Sequence, residues 1–135
     1  MQWLIDIIKS QLKIAAGFVA LPQTAAVHFD TSSWTRDDSF HDIDFTGIVP
    51  SGSTAVYCRL LGDFQINDAL VRFYTKNGSP DQMWVGQRFR LAGKQYITNL
   101  LIPLDGDLKA LYRISVSPVT MLRLQVIGYF EAHVI

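Results

Sequence analysis

The densest group of side chains that could do chemistry is an acidic segment that contains Asp37, Asp38, Asp42 and Asp44. Paired carboxylates can bind calcium or hydrolyse glycosidic bonds. Because Asp42 and Asp44 are two positions apart, a strand would place both on one face, where their charges repel unless a cation or solvent intervenes. We favour a solvated face of an edge strand, because charge on such a strand also discourages aggregation.

Other groups that could be catalytic or bind a metal are scattered. His28, His41 and His133 are far apart, and no two have the spacing of metal ligands. Cys58 is the only cysteine, which excludes an intramolecular disulfide, and its alternating apolar neighbours indicate a small core residue. The sequence has no phosphate loop, dinucleotide fingerprint or nucleophile elbow. We therefore predict a protein that is not an enzyme and has no metal site and no cofactor.

Trp34 and Trp84 are the two residues we consider for ligand contact. Both lie in segments that read as loops or weak strands, where an exposed ring could stack on a sugar or anchor a protein interface. Burial at the ends of the domain is the alternative, and we favour it.

Length and charge exclude some classes of function. The 135 residues fit one domain with a real core, and 49% of them are hydrophobic. Lys plus Arg and Asp plus Glu both number 12, so no basic field favours nucleic acid. A net charge of zero also does little to keep copies apart, which suits a protein that assembles.

Residues 1–21 read as an apolar helix, a first unit before a β domain at 22–135. Apolar residues recur along one face of this helix at alternating spacings of four and three, which is typical of helices that pair. We call this row of residues the seam. Its members are Ile5, Ile8, Leu12, Ala15 and Val19. Asp6, Lys9 and Lys13 argue against a membrane span, since each would cost about 3 kcal/mol near the bilayer centre. A signal peptide is a further alternative; we favour a helix that packs on the domain or on copies of itself.

From residue 25 onward the hydrophobic period changes from helical to two, which indicates strands. The predicted strands are Ala25–Asp30, Phe40–Phe45, Ala55–Leu61, Ala69–Thr75, Met83–Leu91, Gln95–Ile102, Leu108–Ser115 and Leu122–Phe130. In the last of these, Leu122, Leu124, Val126 and Phe130 are expected to point inward. Turn signals separate the runs, among them Gly62-Asp63, and Asn77-Gly78 and Asp105-Gly106 are predicted to be tight hairpins. This spacing predicts an all-β fold, a jelly-roll-like antiparallel sandwich of about eight strands.

The stretch SFHDIDFTGIVPSGSTAVYCRLL, followed by VRFYTKNG and LRLQVIGYFE, resembles small virion proteins of tailed bacteriophages. The resemblance covers Ser39 to Glu131 and omits the N-terminal helix. It implies a head-decoration, head-fibre or tail-associated protein that is commonly a homotrimer without enzymatic activity.

We therefore expect a structural virion protein that self-assembles, preferably as a trimer, and that contacts other virion proteins. A carbohydrate-binding or receptor-binding module that contacts a host-surface glycan is the first alternative. A small secreted or envelope-associated bacterial domain is the second. Neither nucleic acid nor a membrane span is expected.

Overall fold

The computed structural model describes residues 2–4, 17–22, 27–76 and 84–131, and the strands within them form two antiparallel sheets. The strands are β1 (Phe18–Ala20), β2 (His41–Asp44), β3 (Ser53–Phe64), β4 (Ala69–Tyr74), β5 (Trp84–Phe89), β6 (Gln95–Pro103), β7 (Lys109–Ile114) and β8 (Val119–Glu131). A single 3-10 turn, Thr31–Ser33, lies in the long connection from β1 to β2.

Each sheet contains four strands. Sheet A has the order β1-β8-β3-β6, and sheet B has the order β2-β7-β4-β5. The antiparallel pairs are nested: the first strand pairs with the last, β2 with β7, β3 with β6, and β4 with β5. The all-β sandwich prediction is confirmed.

The core lies between the sheets and contains the residues that alternate inward. Phe64 and Phe89 meet at 4.6 Å between ring centroids, and Phe45 and Phe73 are also fully buried. Smaller apolar side chains fill the space around these rings. They include Val56, Cys58, Leu60, Val71, Ile102, Ala110, Ile114, Leu122, Leu124 and Val126.

Gly62-Asp63 is not a turn, so that prediction is wrong. Both residues lie inside β3, which runs unbroken to Phe64. A Cβ on Gly62 would come within 2.5 Å of the Phe89 ring. The glycine is there because the core has no room for a side chain, and glycine in a strand often marks such a close approach.

The two predicted tight hairpins have different outcomes. Asp105-Gly106 does form a turn, closed by the hydrogen bond from Leu108 N to Asp105 O at 3.2 Å. This turn connects β6 in sheet A with β7 in sheet B, so the prediction of a hairpin there is wrong. Asn77-Gly78 lies outside the described residues.

The prediction of a helix through residue 21 is wrong at its C-terminal end. Phe18–Ala20 form β1, which pairs with Gly128–Phe130 of β8, and Val19 therefore belongs to a strand. Phe and Val favour strands, and this short segment gains backbone hydrogen bonds at an open sheet edge. Ile5, Ile8, Leu12 and Ala15 lie outside the described residues. The predicted strand at Ala25–Asp30 is reduced to one bridge, between Phe29 and Leu124.

Phe130 was expected to point inward, and that prediction is also wrong. The register between β3 and β8 shifts where Tyr57 pairs with Gly128 and Cys58 pairs with Val126, which leaves Ile127 as an extra residue. Such a bulge reverses the faces of all side chains that follow it. Tyr129 therefore packs on the core, and Phe130 lies on the outer face of sheet A.

Candidate assembly interface

The outer face of sheet A carries two adjacent rows of residues without a charged side chain. Residues directly opposite each other share a face of the sheet, so the strand register defines these rows. The first row is Pro103, Ala55, Phe130 and Phe18, and the second is Leu101, Tyr57, Gly128 and Ala20. We call these eight residues the apolar patch.

Phe18 packs across the patch. Its ring lies 5.1 Å from the Phe130 ring and 6.3 Å from the Tyr57 ring. A Cβ on Gly128 would come within 2.5 Å of the Phe18 ring, so glycine is needed for the ring to lie over this position. The rings are half-buried, whereas Ala20, Leu101 and Pro103 are exposed. The patch is therefore packed within the chain but open to a partner.

A polar row borders the patch. Asn99, Arg59 and Gln125 lie side by side across β6, β3 and β8, and the next row contains Ile97, Leu61 and Arg123. Ile97 is 65% exposed and Leu101 is 47% exposed. The outer face thus presents the apolar patch and, beyond one polar row, the apolar pair Ile97 and Leu61.

The N-terminal segment enters the domain beside the patch. Gly17 accepts a hydrogen bond from Glu131 N at 2.8 Å, and the next residue is Phe18 of the patch. The part of the predicted seam that precedes Gly17 is outside the described residues, so its role is a prediction. Val19 does not belong to that seam, because its partner in β1–β8 pairing is Tyr129 on the core side.

Trp34 is a core residue and offers no surface for a ligand. It is only 7% exposed, and its indole N–H donates to the carbonyl oxygen of Leu122 at 3.1 Å. Edge-to-face contacts with Tyr112 and Phe73 hold the ring in place. Burial, the interpretation we favoured from the sequence, is correct for this residue.

Trp84 is different, because 47% of it is exposed. It begins β5 opposite Tyr74, whose ring packs against Phe40 at 5.0 Å. One side of Trp84 lines a small, mainly apolar cavity of about 120 Å³. The other residues of this cavity are Phe73, Thr75, Val85 and Pro103. The structure therefore leaves Trp84, but not Trp34, free to meet a ligand.

Each carboxylate of the acidic segment has a partner in the protein. Asp37 contacts His41 at 2.8 Å, and this hydrogen bond is the main reason that the pKa of Asp37 is lowered. Asp38 pairs with Arg72 and Arg113, both at 3.0 Å.

The two aspartates of β2 are also paired. Asp42 accepts from Lys76 Nζ at 2.8 Å. Asp44 accepts from the hydroxyl and backbone N–H of Thr46, which lowers its pKa. β2 is an edge strand, as predicted, and these contacts explain the cluster without a cation.

The pKa values of a partly buried histidine and a fully buried cysteine are shifted. His28 Nδ1 accepts from the backbone N–H of Val126 at 2.9 Å, and burial lowers the pKa of this imidazole. Cys58 is fully buried, and desolvation raises the pKa of its thiol. Neither environment activates a nucleophile, because reactive thiols need a lowered pKa and access.

The described residues contain neither a cluster of metal-binding side chains nor a membrane-spanning helix. No group of three or more His, Cys, Asp or Glu side chains there could hold a metal ion. No helix in the same part of the chain is long and apolar enough to cross a membrane.

Comparison with known proteins adds no family: no family model matches the chain, and no curated protein shows significant similarity to it. The apolar patch is therefore the strongest candidate site that the structure offers. Sequence reasoning missed it because the bulge at Ile127 hid the true face of Phe130. A usable signal was present in Tyr57 and Leu101, which strict alternation places on the outer face.

Proposed function

We propose that this protein is a structural, self-associating component of a bacteriophage particle, of the head-decoration, head-fibre or tail type, and that it has no enzymatic activity. The observation that carries the self-association is the apolar patch. Contiguous apolar side chains on the outer face of a sheet are typical of a surface that meets protein.

The strand order supports the structural assignment. The first strand pairs with the last, and the nested pairing continues inward to β4 and β5. This strand order is produced when one long antiparallel hairpin is rolled into two sheets. We propose on this basis that the sandwich is a jelly roll, a fold that capsid and lectin domains use. A fold does not imply a function, so this argument supports the proposal only together with the patch and the sequence resemblance.

The occupant that we propose for the patch is the apolar N-terminal segment of a second copy. That segment carries Ile5, Ile8 and Leu12, and it joins the domain at Gly17, directly beside the patch. The segment and the patch are both apolar, so two copies that meet can cover the patch of one with the segment of the other. The patch itself is compatible with several symmetries, and the trimer that the resemblance to phage proteins implies is one of the outcomes that a mass in solution can give.

The test is the mass of the full-length protein in solution, measured by light scattering. Ala20→Asp adds a charge to the patch at an exposed position on β1. Burying that unpaired carboxylate at an interface costs several kcal/mol, so the assembly should dissociate while circular dichroism stays unchanged.

Two matched variants serve as controls. Ala20→Ser keeps the size of the side chain, and Val116→Asp adds the same carboxylate at a position that is 69% exposed and outside the patch. Both should keep the wild-type mass. A monomeric wild type, or an Ala20→Asp variant with unchanged mass, would overturn the proposed self-association. Neighbouring capsid, portal or tail genes would test the assignment to a phage particle.

A carbohydrate-binding function is the second candidate, favoured by the exposed ring of Trp84 and its adjacent cavity. Aromatic rings and small polar groups such as the Thr75 hydroxyl are common in sugar sites. A glycan array with wild type and Trp84→Ala decides this point. Binding that is lost in Trp84→Ala and kept in Trp34→Phe would support it, and an array without any binding would remove it.

A further inference from the structure

Within the described chain, sheet A has two edge strands, the three-residue β1 and the nine-residue β6, so β6 presents by far the longer open edge. The opposite edge, along β8, is covered first by β1 and then by the residues that follow it. Phe29 exchanges backbone hydrogen bonds with Leu124, and His28 accepts from Val126 N. No strand of the described chain covers β6 in this way, although β6 is nine residues long.

The register shows which backbone groups of β6 face the open edge. Leu104 N donates to Thr54 O at 2.9 Å, so these two residues form a hydrogen-bonded pair at the start of the β3–β6 ladder. Along antiparallel strands, hydrogen-bonded pairs alternate with pairs whose backbone groups point away from each other. The backbone N–H and C=O groups of Gln95, Ile97, Asn99 and Leu101 therefore point away from β3. Pro103 also occupies an edge-facing position, where a missing N–H costs no hydrogen bond to β3.

This edge lacks most of the features that prevent strand pairing. Natural edge strands are commonly protected by charge, proline, bulges or inward polar residues. The edge strand β2 carries Asp42 and Asp44, and β5 carries Gly86, Gln87 and Arg88. β6 has Pro103 only at its end and presents no charged side chain.

We infer that β6 pairs antiparallel with β6 of a second copy, about a two-fold axis that passes perpendicular to the sheet between the two Asn99 residues. The two copies of sheet A then form one continuous eight-stranded sheet. The inference rests on the proposed self-association and names a contact within it.

The sequence of β6 is self-complementary in this register. Asn99 pairs with the partner's Asn99, and Ile97 pairs with the partner's Leu101. Both are pairs of edge-facing residues, which is the requirement for backbone hydrogen bonds between the strands. Asn99 thus meets a polar side chain, and the two exposed large apolar side chains of the strand, Ile97 and Leu101, each meet an apolar side chain.

The pairing also joins apolar surface across the boundary. Leu101 and Tyr57 lie in one row of sheet A, and Leu61 and Ile97 lie in another. With the partner in place, the row of Leu101 and Tyr57 continues into the partner's Ile97 and the partner's Leu61. Exposed apolar surface is covered without any charge being buried, since Arg59 lies in the intervening polar row.

Asn99→Pro directly tests the proposed ladder of hydrogen bonds between the two β6 strands. Proline removes an N–H that faces the edge, so both central hydrogen bonds of the dimer are lost while the β3–β6 ladder is kept. We expect the dissociation constant of the full-length protein to rise about tenfold or more. Asn99→Ala keeps the N–H and should stay close to wild type. Equal masses for the two variants at every concentration would overturn the inference, as would a wild type of three chains.

Cross-linking gives a second readout that does not depend on how well the proline variant folds. The Cα atoms of a hydrogen-bonded antiparallel pair are about 5.5 Å apart, within the range of a disulfide. Asn99→Cys should therefore form a covalent dimer on mild oxidation, while Val116→Cys should not. Cys58 is buried and will not interfere. Absence of the Asn99→Cys dimer would also overturn the inference.

The proposed role of the apolar patch and the proposed β6 contact can be disproved independently of each other. If Ala20→Asp dissociates the protein and Asn99→Pro does not, the patch is used and the β6 contact is wrong. If Asn99→Pro dissociates the protein and Ala20→Asp does not, the β6 contact is supported and the proposed role of the patch is wrong. A monomeric wild type removes both.

Discussion

The indole N–H of Trp34 donates to the carbonyl oxygen of Leu122 at 3.1 Å, which ties the connection between β1 and β2 to the first part of β8. The two residues are 88 positions apart in the chain. The bond fixes a segment with little regular structure of its own onto the core, where the indole ring also fills space between Phe29, Phe73 and Tyr112.

The first prediction concerns this residue. Trp34→Ala should lower the free energy of unfolding by about 3–5 kcal/mol, because it leaves a large cavity and an unpaired carbonyl. Trp34→Phe keeps most of the ring volume and should cost clearly less. Urea denaturation followed by circular dichroism measures both. A loss below about 1 kcal/mol in Trp34→Ala would contradict the packing described for Trp34.

The second prediction concerns Gly62. Gly62→Ala places a methyl group against the Phe89 ring and should destabilise the fold by about 1–3 kcal/mol. Gly106→Ala is the matched control, since nothing lies within 4 Å of a Cβ there. Thermal unfolding of the two variants should separate them clearly. Equal melting temperatures would show that Phe89 can move aside.

The third prediction concerns pH. Burial lowers the pKa of His28 in the folded state, so the unfolded chain binds a proton more readily at this position. Stability should therefore be full above the unfolded value of about 6.5 and should fall as the pH drops below it, until the folded pKa is passed. The loss comes from partial burial of the imidazole, which disfavours its charged form. A ring protonated at Nδ1 also could not accept the hydrogen bond from Val126 N.

The control for this titration is His28→Asn, whose side-chain oxygen can accept the same hydrogen bond but does not titrate. Melting temperatures between pH 7.5 and about pH 5 should fall more steeply for wild type than for His28→Asn. Parallel curves would mean that protonation of His28 does not contribute.

The fourth prediction concerns Cys58. Because the thiol is buried and its pKa is raised, a maleimide should label the native protein only when the sandwich opens. Labelling should be immediate in denaturant and slow in buffer, with a rate that follows global stability, so that Trp34→Ala accelerates it. Rapid labelling of the wild type in buffer would contradict the burial of β3.

Much of the fold followed from period-two alternation. Ile43 and Phe45, or Ala110 and Tyr112, are apolar at positions where one face must be buried, and these residues do lie in the core. Alternation predicts the wrong face or a false turn wherever a single residue is inserted into a strand or a glycine has a steric role. Ile127 reverses the faces of the last residues of β8, and Gly62 resembles a turn signal although it makes room for Phe89.

The candidate interface could be predicted only in part. Apolar residues on outer faces can be recognised along one strand, but the rows of the patch combine four strands whose order the sequence does not encode locally. Phe18 was assigned to a helix because apolar residues precede it at helical spacing. Its pairing with Phe130 depends on a partner strand at the other end of the chain.

The nested strand order has a consequence for synthesis in the cell. Phe18 pairs with Phe130, so sheet A cannot close until synthesis has passed Phe130 and this residue has left the ribosome. At about 5–20 residues per second, β1 waits on the order of 10 s for its partner. During that time the apolar N-terminal sequence and the unfinished sheet are exposed together, beside other nascent chains on the same message. We therefore expect chaperones to bind the chain during translation. We also expect the yield of folded protein to depend on the expression rate.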